Sequence, residues 1–308
     1  MRIDVHHHAL PKDYVSVLRG KGIEAAGGRD LPAWDVAGTI AMMDAHRIDK
    51  AIVSVSAPGA NFGDPAEAGR IAREVNEFLA ELVKDRPDRF GFFATLTLPD
   101  VDTSLAEIAH AFDELSPHGV ILLANSLGTY LGDPAFDPVM AELDYREAVV
   151  FVHPNELPGP EVPGIPPFAA DFLLDTTRAA ANLVMHDVPA RYPAVRYILS
   201  HAGGFLPYAS HRIGFIVAAM TGRDPAKVLD TMAGFYYDTA LSASPAALPS
   251  LLAFAKPGRV LFGSDWPFAP EPFIGYFTST LDAYPDVDDD TREAINHGNA
   301  RVLFGTDA

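Results

Sequence analysis

The 308-residue chain contains no cysteine. Disulfides and thiolate metal sites are thereby excluded, so any bound metal must sit on histidine and carboxylate. Long apolar runs are also missing. None reaches the roughly 18 residues of a membrane span, although 48% of the residues are hydrophobic. Basic side chains are scarce. Lys and Arg total 23 against 41 Asp and Glu, for a net charge of −18, and no basic run occurs. A nucleic-acid surface needs a positive patch, so that class of partner is not expected. The acidity has a second consequence. An anionic ligand is repelled by the chain as a whole, and a site for one needs its own local cation. The start, Met1-Arg2-Ile3-Asp4, lacks the apolar stretch of a signal peptide, which with the absence of cysteine predicts a cytoplasmic setting.

What the chain does contain is a recurring β/α pattern. Short β-branched and aromatic runs lie at Arg2–His6, Ala51–Ser56, Phe90–Leu96, Gly119–Ala124, Ala148–His153, Val195–His201, Gly234–Thr239 and Arg259–Asp265. Several, such as Val149-Val150-Phe151-Val152, are apolar on both faces, as in parallel strands covered on both sides. Amphipathic stretches alternate with them: Asp35–Arg47, Pro65–Lys84, Thr103–Leu115, Pro134–Arg146, Asp171–Tyr192, Leu206–Thr221, Pro225–Met232 and Pro245–Ala255. Asp35 and Asp64 read as N-caps, the latter followed by proline at the first helical position. Asp286–Asp290 reads as a solvated helix start. Strands alternating with helices predict an α/β fold, a (β/α)8 TIM barrel in a single domain over residues 1–308. An open doubly wound sheet competes, but three histidines follow the first strand where a glycine-rich phosphate loop would be needed. Two insertions are expected over the barrel mouth, at about residues 20–34 and 154–170. Gly20–Pro32 is glycine-rich, and Pro154–Pro167 holds six prolines and two glycines.

Barrel enzymes place their chemistry at the C-terminal ends of the strands. Here the ionisable residues at those ends are His6, His8, His153, His201 and Asp265. A lone strand-end histidine is commonly a hydrogen-bonded structural residue; five such groups on one rim form a set. His6 and His8 alternate onto one face of the first strand, where two imidazoles can grip one metal ion, and His7 points away to pack or hydrogen-bond beneath the rim. His46, His110, His118, His186, His211 and His297 fall on predicted helices or loops and read as surface or capping residues.

The segments Ile3–Pro11, Phe151-Val152-His153-Pro154, His201-Ala202-Gly203-Gly204 and Gly263-Ser264-Asp265-Trp266-Pro267-Phe268 resemble the amidohydrolase superfamily, in its decarboxylase branch. That branch includes the 2-amino-3-carboxymuconate-6-semialdehyde, γ-resorcylate and 6-methylsalicylate decarboxylases. Leu131-Gly132-Asp133-Pro134 and Asp175-Thr176-Thr177-Arg178-Ala179 look most like the 6-methylsalicylate group. The resemblance implies that His6, His8, His153 and Asp265 ligate one divalent ion, zinc or else manganese, with His201 close by. Strand four carries no lysine to bridge a second metal, which supports a mononuclear site. The resemblance further implies that Arg212 reaches a neighbouring subunit's site to hold a substrate carboxylate, in a homodimer or dimer of dimers. An ordinary surface arginine is the plain alternative. Trp266 and Phe268 either pack against an aromatic substrate or belong to the core of the rim.

The implied activity is non-oxidative loss of carbon dioxide from an ortho-hydroxy aromatic acid, a small aromatic carboxylate. Asp265 is expected to deliver the proton, with His201 orienting or relaying it. Burial and coupling to His201 would have to raise the proton affinity of Asp265, while metal ligation lowers it. The same residues can also serve hydrolysis of a small cyclic ester or amide by metal-bound water, with Asp265 as base.

Overall fold

The computed structural model describes residues 1–305. Eight parallel strands pair in sequence order, which defines a (β/α)8 TIM barrel. They are β1 (Ile3–His8), β2 (Lys50–Ser54), β3 (Phe90–Thr95), β4 (Gly119–Leu123), β5 (Val149–His153), β6 (Arg196–Leu199), β7 (Tyr236–Asp238) and β8 (Val260–Leu261). The ring closes through irregular backbone rather than a regular ladder. Val5 N–H donates to the Phe262 carbonyl (3.0 Å) and Asp265 N–H to the His6 carbonyl (2.8 Å). Strand eight is therefore shorter than the sequence predicts; residues 262–265 leave the ladder and bend over the mouth.

The alternation of side chains builds two layers of core. Ile3, Val5, Ile52, Phe93, Ile121 and Phe151 fill the barrel interior, where the Phe93 and Phe151 rings stack at 5.4 Å. The opposite faces, such as Val53, Phe92 and Val150, pack against the surrounding helices. Those are α1 (Lys12–Gly20), α2 (Val36–Ala45), α3 (Pro65–Asp85), α4 (Val101–His110), α5 (Asp137–Tyr145), α6 (Pro167–Met185), α7 (Val188–Arg191), α8 (Leu206–Thr221), α9 (Pro225–Ala233), α10 (Ala247–Phe254), α11 (Glu271–Ala283), α12 (Asp289–Glu293) and α13 (Asn299–Phe304). Ala300 and Leu303 of α13 plug the N-terminal end of the barrel. The opposite end is left to the site.

Both expected caps form: Asp35 accepts from Gly38 N–H, and Asp64 from Ala66 and Glu67. Asp288 caps α12, the predicted helix start. The predicted helix Asp171–Tyr192 differs. It begins earlier, at Pro167, and breaks at Asp187, whose left-handed φ of 55° separates α6 from α7. Helices α1, α11 and α13 are absent from the sequence reading; α1 and α13 span only 9 and 6 residues, and α11 carries Gly275 within its apolar face.

The two insertions meet over the mouth. Ala25–Ala26 and Arg29–Asp30 form a small antiparallel hairpin. Its turn residue Gly27 donates to Glu156 Oε1 (3.1 Å), and Phe168 N–H donates to the Gly27 carbonyl (3.0 Å). A Cβ at Gly27 would lie 2.1 Å from the Phe172 ring, so only glycine permits this approach.

Candidate active site

The strand ends bring together His6, His8, His153 and Asp265. All are buried, and one donor atom of each lies within 4.8 Å of the others. His6 Nε2 and His8 Nε2 each lie 3.2 Å from Asp265 Oδ1. The far nitrogen of each ring is tethered. His6 Nδ1–H donates to Asp238 (2.7 Å), His8 Nδ1 shares a hydrogen bond with Ser54 Oγ (3.1 Å), and His153 Nδ1–H donates to the Pro154 carbonyl (2.8 Å). Such partners fix tautomer and ring orientation and leave three Nε2 atoms aimed at one point.

The electrostatics fit a cation there. Burial disfavours the His6 imidazolium, but the flanking Asp238 and Asp265 carboxylates outweigh it and raise its proton affinity to about 10. Burial also lowers His8, to about 4, and pushes His153 well below the ordinary imidazole range. Burial alone would raise the Asp265 carboxyl; the His6 charge and the bonds from His201, His6 and His8 instead hold it well below the usual carboxylate range. The pocket thus favours one positive charge between Asp238 and Asp265 and keeps His8 and His153 neutral; a bound metal would take the place of the His6 proton, since ligating imidazoles must be neutral. Three imidazole nitrogens and a carboxylate suit a divalent transition metal. The acid role would need burial to raise the proton affinity of Asp265; here the imidazoles beside it win over desolvation.

His201 stands at the edge of this cluster, with Nε2 3.5 Å from Asp265 Oδ2. Its backbone N–H donates to Asp238 Oδ1 (2.9 Å), and its buried Nδ1 has no protein partner. His201, Ala202 and Asp265 all adopt left-handed backbone, with φ of 52°, 56° and 64°. Such conformations cost roughly 1–3 kcal/mol each and aim the two side chains into the mouth. The following Gly204 is required by packing, since a Cβ there would lie 2.0 Å from the Leu173 carbonyl oxygen.

His153, His201 and Asp265 open into a cavity of about 300 Å³. Phe168, Phe172, Phe268 and Phe273 give it aromatic walls, and among the described residues Arg29 is the one basic residue lining it apart from the histidines. Arg29 Nε is buried without a hydrogen-bond partner. Phe268 also stands edge-on to His8, with centroids 5.6 Å apart. Trp266 does not reach the cavity; its indole N–H points to Thr39 Oγ1 (3.4 Å) on α2. Arg212 is exposed on α8 and lies outside the cavity of its own chain. His7 turns away, as its strand position predicts, and bonds Asp4 Oδ2 (2.9 Å). Of the six remaining histidines, His186 and His211 are exposed, whereas His46, His110, His118 and His297 are half-buried; His118 sits at the barrel base, against Gly91 and Phe304.

Three participants escaped the sequence reading. Asp238 ends β7 and carried the same strand-end signal as the ligands. Asp4, fully buried, accepts from Ser264 N–H (3.0 Å) and Ser264 Oγ (2.5 Å) and so ties β1 to the segment bearing Asp265. Arg29 gave no signal, because an insertion can be placed over a cavity only by the fold.

The family profile for amidohydrolases matches residues 3–306. The chain belongs to the amidohydrolase family. More narrowly, it is 38% identical over 320 residues to the 6-methylsalicylic acid decarboxylase acuB of Aspergillus aculeatus, covering 99% of this chain and 96% of that one. It is 36% identical over 312 residues to the 6-methylsalicylic acid decarboxylase of Penicillium expansum, with 98% and 96% covered. Among solved structures it superposes on an amidohydrolase II with a TM-score of 0.94, at 31% identity and coverage of 99% and 100%. It also superposes on a 2,6-dihydroxybenzoate decarboxylase complexed with 2,6-dihydroxybenzoate, with a TM-score of 0.79, 26% identity and 99% of each chain covered.

Proposed function

We propose that this protein is a metal-dependent decarboxylase of a salicylate-type acid, releasing carbon dioxide and a phenol. The observation that carries this reading is the lone guanidinium of Arg29 in an aromatic cavity whose floor is the His/Asp cluster. Aromatic walls suit a benzene ring, and a cation answers the need of an anionic substrate in an acidic protein. The relatives named for 6-methylsalicylic acid support an alkyl-bearing salicylate, and Leu173, Leu241 and the phenylalanines of the lining suit an alkyl group.

His6, His8, His153 and Asp265 would hold one divalent ion, zinc as first choice for an imidazole-rich set and manganese as second. When bound, the ion orients the substrate oxygens and stabilises their charge. Arg29 pairs with the carboxylate and sets the ring against Phe268 and Phe172. A proton is then added to the ring carbon bearing the carboxylate. The bond to the carboxyl carbon breaks, its electron pair returns to the ring, and carbon dioxide leaves. The Asp265 carboxyl is held too low to store that proton, so it must be resupplied. His201, 3.5 Å away, is the neighbour placed to hand it on. Burial of both groups excludes bulk water from the transfer.

Helix α8 supports a shared site. Tyr208, Arg212, Phe215, Ile216 and Met220 recur at helical spacing and are all exposed, so an apolar stripe surrounds Arg212. We place this stripe at the interface of a homodimer or dimer of dimers, with Arg212 directed to the partner.

The test is a panel of salicylate-type acids with metal-defined protein, followed by product mass. Release of carbon dioxide from one member is the expected result. Incorporation of solvent oxygen into the product, with no carbon dioxide, would reverse the reading to hydrolysis. Arg29→Met is expected to raise KM roughly 10- to 100-fold, the value of a lost charge-assisted contact, with a smaller effect on kcat.

A further inference from the structure

A second cavity, of about 550 Å³, opens at the same end of the barrel, over β2, β3 and β4. It shares no lining residue with the catalytic cavity. The turn after β2 divides them: Ser56 and Ala57 face the catalytic side, while Pro58–Asn61 face the other. Buried Tyr14 braces this partition by donating from its hydroxyl to the Gly59 carbonyl (2.8 Å). The second cavity nonetheless reaches close to the chemistry, because Leu123 on its wall is the register partner of His153.

Its lining differs in kind. Val55, Leu96, Leu98, Ile121 and Leu123 make the wall apolar. Among the described residues, no Arg, Lys or His lines it, and the one charged residue at its rim, Glu156, has its Oε1 engaged by Gly27 N–H. One polar group is left over. Thr95 is only 3% exposed, and its Oγ1 has no hydrogen-bond partner. Both backbone groups of Thr95 are already engaged by Asn76, so the hydroxyl alone remains for a ligand. An unpaired buried hydroxyl is costly, and a ligand hydroxyl would satisfy it.

We propose that this cavity is a site for a neutral phenol, the product of the reaction, and that it rejects the parent acid. The assignment rests on the decarboxylase reading for the identity of the phenol. A carboxylate entering here meets an apolar wall and no cation, whereas in the catalytic cavity it meets Arg29. A phenol carries no charge at neutral pH, fits the apolar wall and can pair its hydroxyl with Thr95. The loss of one carboxylate thus reverses which of the two cavities is preferred. Product held across the partition would also weigh on the turn that bears Ser56 and Ala57.

The test uses the metal-loaded protein and two probes of the same ring, phenol and benzoate, titrated by calorimetry. Phenol is expected to bind at a site that saturating benzoate does not displace. Thr95→Val keeps the shape and removes the hydroxyl, and should weaken that site roughly three- to tenfold, the value of one neutral hydrogen bond. Its benzoate titration should be unchanged, which also reports an intact fold. Leu123→Phe, which fills the cavity, should abolish the same component. Complete displacement of phenol by benzoate, or phenol binding unchanged in Thr95→Val, would overturn the assignment. Failure to release carbon dioxide from any acid, with the two binding sites intact, would instead overturn the catalytic reading alone.

Discussion

Asp238 shows how a residue that touches no substrate governs the site. It receives His6 Nδ1–H at 2.7 Å and the His201 backbone N–H at 2.9 Å, so one carboxylate orients both histidines. Outer partners of metal-binding imidazoles typically contribute 10- to 100-fold in affinity. Asp238→Asn is expected to lower metal affinity by about that factor, measured by competition with a chelator, with the barrel's far-ultraviolet dichroism unchanged. Asp265→Asn should separate two roles. Turnover is expected to fall about a hundredfold or more even in preparations that keep metal, as the loss of a proton-transfer group predicts. Wild-type turnover in a metal-bearing Asp265→Asn protein would remove Asp265 from the proton path. The five groups His6, His8, His153, His201 and Asp265 were legible in the sequence because each falls at the end of a run with a strong apolar pattern, while the division into four ligands and a neighbour came from the family resemblance. Asp238 was equally legible by that rule. Arg29 was not, since nothing local distinguishes it from any arginine in a glycine-rich loop.

At the scale of elements, α3 and α4 are locked to the end of β3 by a polar clip. Glu107, 2% exposed, accepts from Arg73 Nε (2.9 Å) and Asn76 Nδ2 (2.8 Å). Asn76 in turn bonds both the N–H (2.7 Å) and the carbonyl (3.0 Å) of Thr95. Removing Glu107 frees the half-exposed Arg73 to turn to water but leaves the buried Asn76 Nδ2 without that acceptor, at a cost of about 2 kcal/mol. Glu107→Ala is expected to lose about that much in urea unfolding, while Glu74→Ala on the exposed face of α3 should change little. Helix boundaries followed the sequence where aspartate caps and prolines mark them. They departed from it at Asp187, where a non-glycine residue takes the left-handed conformation that local propensity disfavours.

For the whole molecule, two properties depend on surfaces far from the chemistry. His118 at the barrel base has its proton affinity lowered to about 4, by burial and then by Lys50. The neutral ring is the form that fits. Its stabilisation is full above about pH 6.5, the value in the unfolded chain, and is lost as pH falls towards 4 because the unfolded state takes up the proton first. His118→Phe should flatten the decline in unfolding free energy between pH 7 and 5, worth about 2 kcal/mol at most. An unaltered decline would place its origin in other groups. The second property is assembly. If α8 carries Arg212 into a partner's site, mixing Arg212→Ala with Asp265→Asn protein should restore part of the activity in hybrid oligomers. Absence of any recovery would confine each site to its own chain.

Strand order, the apolar alternation and the convergence of the strand-end groups were determined by the sequence alone. Each depends on contacts whose periodicity is written locally: a strand repeats every two residues, and its last side chains must face the mouth of a barrel. The two cavities, the cation of the catalytic one and the free hydroxyl of the other were decided only by tertiary structure. They arise where insertions from distant parts of the chain close over the strand ends, as when Gly27 meets Glu156 and Phe172. Charge at a site is set by which groups end up within a few ångströms of one another, and no local pattern encodes that distance.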